Sequence, residues 1–240
     1  VDKTGYAFDP ARAGLAVDCI SKGIDAVHEM GVIHRDLTPN NVLCCGFGDS
    51  EIFKITDFGL ARPLGMNATF GGIVVGTVGY APPEQAALDD RRIGTWSDVF
   101  TFAVDLYFML TGRGYFPTRN AMDSLALIRS PERTSILESA MLSPELRSQP
   151  AACAGIDLAL RLATSTRPED RPKTASMFAS MVLPWLKGVP RSRPASARLI
   201  ESVAPVTAPT APGESAWRWT VRHLPGDDQV VRSVAWDGDG

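Results

Sequence analysis

Three polar residues in this chain have types and spacings that could support chemistry. Asp36 and Asn41 stand five residues apart in the stretch VIHRDLTPNNVL, Val32 to Leu43. Asp57 follows in KITDFGLAR, twenty-one residues after Asp36 and again behind a β-branched run. A carboxylate can take a proton or hold a hard metal ion, and an amide oxygen can ligate the same ion. Each residue alone is equally suited to an Asx turn or a helix cap. The apolar flanks imply a turn buried between structured elements, so each polar group there needs a partner.

The elements that must position these residues are readable from periodicity. Residues 11–30 carry apolar groups at Ala16, Ile20, Gly23/Ile24, Val27 and Met30, the spacing of one helix face, with Gly31 at the stop position. Two short β-branched runs, 41–45 and 51–56, flank a Gly46–Ser50 turn and predict a hairpin. SDVFTFAVDLYFML, 97–110, is apolar nearly all round and predicts a helix inside the core, ended by Gly112 and Gly114. Shorter helical patterns occupy 155–163 and 174–186. The fold class expected is therefore mostly α, with a short β hairpin beside the candidate site.

Composition narrows the function class. The 240 residues are 45% hydrophobic with a net charge of -3, which argues against a nucleic-acid partner. Four cysteines, two of them adjacent (Cys44, Cys45), form neither a disulfide framework nor a metal-ligand spacing and are expected as reduced thiols in or near the core. No apolar run has the roughly 20 residues of a membrane span, and no secretory signal opens the chain, so a cytoplasmic location is expected. After Lys187 the chain becomes rich in Pro, Ala, Ser and Thr, and 188–215 reads as a flexible linker. Patterning returns over 216–240, where Val230–Trp236 suggests a strand.

Read together, HRDLTPNN (34–41), DFGLAR (57–62), GTVGYAPPEQ (76–85), SDVFTFAV (97–104) and RPEDRP (167–172) resemble the large C-terminal lobe of a eukaryotic-like serine/threonine protein kinase of bacterial type. The resemblance covers 11–187, and 1–187 is expected to be the C-lobe portion of a catalytic domain. It implies ATP-dependent phosphorylation of Ser or Thr hydroxyls on a protein substrate, in signal transduction, with ATP and Mg²⁺ as cofactors. Asp36 resembles the acid that orients the attacking hydroxyl and accepts its proton. Asn41 and Asp57 resemble the metal-holding pair. Arg35 marks the class whose activation segment is ordered by phosphorylation. Thr69 is the candidate phosphoacceptor by position, and Thr77 resembles the threonine that helps Asp36 orient the substrate. His34 and Phe58 resemble members of an apolar column, and Asn40 resembles a turn cap. Glu84 and Arg171 resemble a buried ion pair, and Asp98 resembles the acid that accepts backbone N–H bonds from the HRD loop. The tail GDDQVVRSVAWDGDG looks like the opening strand of a truncated WD40 blade, which would imply further protein partners.

The chain also departs from that pattern. Thr38 stands where such kinases usually place a lysine, so it brings a hydroxyl and no charge. Pro82, Ala103 and Phe108 look like packing variants. No G-x-G-x-x-G loop and no V-A-I-K-like lysine occur in the 240 residues, so the small N-terminal lobe is expected to be absent. The chain opens on Val1 and closes within a patterned segment, so both ends read as cut. A fragment of a longer kinase and a natural remnant serving as an interaction module are the two explanations. Under either, the chain alone is expected to transfer no phosphate and to self-associate through an exposed apolar face near 32–45 and an unpaired strand edge at 230–236.

Overall fold

The computed structural model describes residues 7–46, 50–57, 62–63, 79–87, 89–116, 126–189, 219–221 and 234–236. The chain divides into two compact units, Val1–Ser192 and Arg193–Gly240.

The first unit is mostly helical. Helix α1, Pro10–Glu29, starts where Asp9 Oδ1 accepts the backbone N–H groups of Ala11 and Arg12 at 2.9 and 3.0 Å and a proline fills the first turn. Its inward stripe is Ala13, Ala16, Val17, Ile20 and Ile24. The expectation that Val27 and Met30 continue it fails: Val27 is half-buried and Met30 is 72% exposed. The stripe runs on through His28, four residues after Ile24, because 3.6 residues per turn returns that position to the same face. Gly31, at φ 74°, then turns the chain out of the helix.

Strand β1, Val32–Ile33, pairs with a later strand beyond the hairpin. Strands β2, Val42–Cys45, and β3, Ile52–Ile55, form the expected antiparallel hairpin, with Val42 opposite Ile55 and Cys45 opposite Ile52. Strand β4, Arg62–Pro63, is the partner of β1. The hairpin is fastened to α1 twice. Arg12 meets Glu51 through Nε and Nη2 at 3.0 and 2.7 Å. Gly23 faces Ile55 so closely that a Cβ there would stand 3.1 Å from Ile55 Cδ1, which explains a glycine in the helix interior. The four cysteines are free; only Cys153 is fully buried, and Cys44 is exposed with its thiol donating to Glu51 at 2.9 Å.

The short helix α2, Pro83–Ala86, precedes α3, Thr95–Thr111. From Ser97 to Thr111 every residue of α3 except Phe108 is buried, as its all-round apolar sequence requires. Helices α4, Pro144–Arg147, α5, Pro150–Ala163, and α6, Ala175–Lys187, complete the lobe. Helix α6 packs on α1 and α5, and α3 runs through the middle against all three. Phe102 of α3 meets Phe178 of α6 edge to face, centroids 5.3 Å apart. Asp25 of α1 accepts the N–H groups of Ala175 and Ser176 at 2.9 and 3.0 Å, so one helix caps another.

This is a kinase C-lobe-like fold, and no sheet among the described residues has more than two strands. No helix among the described residues is long and apolar enough to cross a membrane. In the second unit, β5, Trp219–Val221, pairs antiparallel with β6, Val234–Trp236. The strand expected near the C-terminus thus has a partner at 219–221; residues 230–233 lie outside the described ones.

The buried tie between α2 and the segment after α5 is ionic. Arg171 Nη1 and Nη2 meet Glu84 Oε1 and Oε2 at 2.7 and 2.9 Å, with side chains 0% and 1% exposed. Ser97 Oγ donates to Glu84 at 2.7 Å, Arg171 Nε donates to the Ser165 carbonyl at 2.8 Å, and the guanidinium lies 4.9 Å from the Phe100 ring centre. Every polar atom of the pair is thereby engaged, the condition under which a buried ion pair is tolerable. Either Glu84→Ala or Arg171→Ala strands a buried charge and should lower stability by about 3–5 kcal/mol. The double replacement Glu84→Leu with Arg171→Met should lose clearly less than the two single losses added together, read from urea-unfolding midpoints.

Candidate active site

The loop between β1 and β2 carries the first two candidate residues, and Asp98 near the start of α3 holds it. Asp98 is 0% exposed. Its Oδ2 accepts the backbone N–H of His34 at 2.8 Å, and its Oδ1 accepts that of Arg35 at 2.9 Å. His28 Nε2 lies 2.7 Å from Oδ2; a carboxylate can only accept, so that ring nitrogen carries the proton. Three donors from two elements therefore converge on one buried acid. Its place in the first turn of α3 adds the favourable field of the helix N-terminus.

The clamp holds a strained residue. Arg35 has φ 68°, the left-handed region that a side chain disfavours. Its N–H is fixed by Asp98, and its carbonyl accepts Gln85 Nε2 at 2.8 Å. The peptide groups on both sides are thus held, and the residue stays where its own preference would not keep it. His28 and Gln85 were not singled out from sequence. His28 had a signal, a histidine on the inward stripe of α1; Gln85, beside Glu84, had none.

Asp36 follows, half-buried. The Asn41 side-chain amide donates to the Asp36 carbonyl at 2.7 Å and reaches its Oδ2 at 3.4 Å. Pro39–Asn41 forms one 3-10 turn, with the Asn41 N–H donating to the Thr38 carbonyl at 2.9 Å, which brings Asn41 back over Asp36. With its nitrogen committed to Asp36, Asn41 has its amide oxygen as the acceptor end. Thr38, two residues after Asp36, is buried, 3% exposed.

The hairpin register then brings Asp57 to Asn41. Beyond the Val42–Ile55 pair, the Asn41 carbonyl accepts the Thr56 N–H at 2.8 Å. Asn41 and Asp57 thus flank the same end of one ladder, although sixteen residues apart in sequence. The Thr56 carbonyl takes the His34 ring Nε2–H at 3.0 Å, closing a path from the HRD loop to the end of β3. His34, expected as apolar packing, is a buried hydrogen-bonding residue. Asp57 is exposed and has φ 56°, also left-handed. Arg35 and Asp57 are the only non-glycine residues with positive φ among the described ones, and both flank the candidate chemistry. Phe58, Thr69 and Thr77 lie outside the described residues.

The donor set suits a hard divalent ion bound together with a ligand's oxygens. Among the described residues, no group of three or more His, Cys, Asp or Glu could hold a metal by itself. One amide oxygen and one carboxylate are the kind of partial set that Mg²⁺ accepts when phosphate oxygens and water fill its remaining positions.

Comparison with known proteins shows the family. The family described as protein kinase domain matches residues 2–201. The chain belongs to the protein kinase domain family, in its bacterial serine/threonine branch. It is 32% identical over 195 residues to the probable serine/threonine-protein kinase PkwA of Thermomonospora curvata, covering 81% of this chain and 24% of that protein. It is 30% identical over 228 residues to the serine/threonine-protein kinase Pkn1 of Myxococcus xanthus, covering 90% of this chain and 31% of the relative. A third similar kinase, PknA of Corynebacterium glutamicum, is 31% identical over 186 residues, 71% of this chain and 38% of that one. The chain thus spans well under half the length of these kinases.

The clamp predicts a local effect. Asp98→Asn keeps the size of the side chain but turns one acceptor into an NH₂ group facing a donor. Losing one such bond costs about 1–3 kcal/mol. Amide exchange at His34 and Arg35 should speed up by roughly 10- to 100-fold, while amides in α6 change far less, as measured by hydrogen–deuterium exchange.

Proposed function

We propose that the 240-residue chain, taken alone, is a catalytically silent kinase lobe that engages other proteins, and that it carries the acceptor half of a site for phosphorylating serine or threonine. The observation that carries this reading is the charge of the site. Among the described residues, the candidate groups near the hairpin end, Asp36, Asn41 and Asp57, are two acids and an amide, and Thr38, buried, stands where the family pattern has a cation. A nucleotide triphosphate needs cations or N–H groups as well as metal, and a site of acceptors holds it weakly without a further phosphate-binding element. Mg²⁺, when bound with nucleotide, would be held by Asn41 and Asp57 and would neutralise phosphate charge. In that setting Asp36 orients a hydroxyl and takes its proton. Asn41 holds Asp36 through the 2.7 Å bond to its carbonyl, and Asp98 keeps the loop from drifting.

Interaction is supported by surface. Leu43 and Ile52 are 51% and 42% exposed on the hairpin, and Phe108 is 37% exposed at the end of α3. Phe108 also lines an apolar cavity of about 160 Å³, together with Phe8, Val42, Phe53 and Met109. Exposed apolar groups on the hairpin and an apolar cavity edged by Phe108 suit a protein partner or a second copy.

The second reading, full phosphotransferase activity, is kept for a longer chain that includes a nucleotide-holding lobe, on the strength of the kinase relatives. Residues 1–187 are then the large-lobe portion, 188–215 a linker, and 216–240 the start of a WD40-like region with its own protein partners; a cytoplasmic location fits this reading. Thr77 assists Asp36 there, Arg35 answers phosphorylation at Thr69, and Phe58 packs with His34. Calorimetry of the 240-residue chain with Mg-ATP should give no saturable heat, and a radiolabel assay on a generic basic protein should show no transfer. The longer chain should transfer phosphate and lose that ability with Asp36→Ala or Asp57→Ala. Tight Mg-ATP binding by the 240 residues, or turnover near roughly 1 per second, would overturn the silent-lobe reading.

A further inference from the structure

Helix α3 carries a second buried acid that the site above does not use. Asp105 is 0% exposed, and neither carboxyl oxygen has a hydrogen-bond donor within reach among the described residues. This contrasts with Asp98, equally buried, which takes three donors. It also contrasts with the other polar side chains on that stretch: Thr101 donates to the Asp98 carbonyl at 3.0 Å and Thr111 to that of Tyr107 at 2.6 Å. Asp105 lies seven residues after Asp98, two helical turns along and on the same face, about 10 Å further down the axis. That face is the one Asp98 presents to the catalytic loop. The helix position that anchors the loop and the position of the unpartnered acid thus share one side of one rod.

A carboxylate taken out of water without a donor or a cation is strongly disfavoured, whereas the neutral acid loses far less. A charged group facing Asp105, Asp36, makes ionisation harder still. From the catalytic loop it meets the negative field of Asp36, and from the segment before α2 it faces Tyr80, a neutral phenol. Burial first, and Asp36 second, push the Asp105 carboxyl well above the usual range. Burial, and then Asp105, push the Tyr80 hydroxyl up to about 12.

We propose that Asp105 is carried as the neutral acid in the folded lobe and acts as a proton-operated latch beneath the catalytic loop. With the proton on, α3 and the loop pack as described, and Asp98 holds His34 and Arg35. With the proton off, a buried negative charge stands behind a loop that already carries Asp36, and the packing between loop and helix loosens to admit water. The device does not depend on whether the chain transfers phosphate.

The sign follows from linkage. An unfolded aspartate releases its proton near pH 3.9, and the folded Asp105 keeps it to higher pH. Stability therefore falls as pH rises from that point until the folded group itself ionises. Above about pH 5, and below the pH at which the folded group ionises, the unfolding constant of the unaltered 240-residue chain should rise by up to about tenfold per pH unit more than that of Asp105→Asn. Asp105→Leu provides the same comparison if the asparagine variant does not fold. Equal pH slopes in the unaltered chain and the variant would overturn the proposal. A readout without any variant is the carboxyl ¹³C signal of Asp105 in the unaltered chain: a neutral acid is expected at about pH 5, where an ordinary aspartate is mostly ionised, and an ionised carboxylate there overturns the idea. The latch itself is read at the His34 and Arg35 amides. Their exchange, corrected for intrinsic pH dependence, should accelerate with pH more than that of Phe178 in α6, and this excess should vanish in the variant. Equal acceleration at all three would reduce Asp105 to a general stability effect and sink the latch.

Discussion

One carboxylate organises the site. Asp98 takes two consecutive backbone N–H groups and an imidazole N–H into a position with no access to water. Each of those donors would otherwise be a buried, unanswered polar group, and the acid would be a buried, unanswered charge. The four groups solve one another's problem, and in doing so fix the chain path through Arg35 and Asp36. Because α3 is buried along nearly its whole length, it cannot shift without disturbing the helices packed on it. The HRD loop is therefore referenced to a helix that is buried along nearly its whole length.

The rest of the site is a set of distances measured from that reference. The HRD loop reaches the end of β3 through the His34 ring, and the hairpin register sets Asn41 beside Asp57. The segment leading to α2 is pinned from the other side, by Gln85 on the Arg35 carbonyl and by Glu84 on Arg171. Arg35 persists in a disfavoured backbone region because the bonds on both sides of it determine its conformation. The same rod that imposes this order also carries Asp105, so the lobe places a satisfied and an unsatisfied acid on one helix face.

The residue types of the site were legible in the sequence, because Asp36, Asn41, Asp57, Glu84, Asp98 and Arg171 occur inside motifs whose order is as informative as their composition. The helices were legible where their periodicity was strong: α1 by its stripe, α3 by being apolar all round, and the hairpin by two β-branched runs about a glycine turn. These are local properties, set by how each side chain meets its own backbone and by the 3.6- and 2-residue periods. What tertiary structure alone decided is who answers whom. Sequence could not show that His28, at the end of α1, reaches Asp98 seventy residues away, or that Gln85 holds the Arg35 carbonyl. It could not show that Thr38 is buried, that the apolar stripe of α1 leaves Met30 in solvent, or that Asp105 meets no donor among the described residues. A hydrogen bond lasting over such separations depends on the packing of whole helices, and a buried group's protonation depends on everything around it. Neither quantity belongs to a residue or its neighbours in the chain; both exist only once the core has closed.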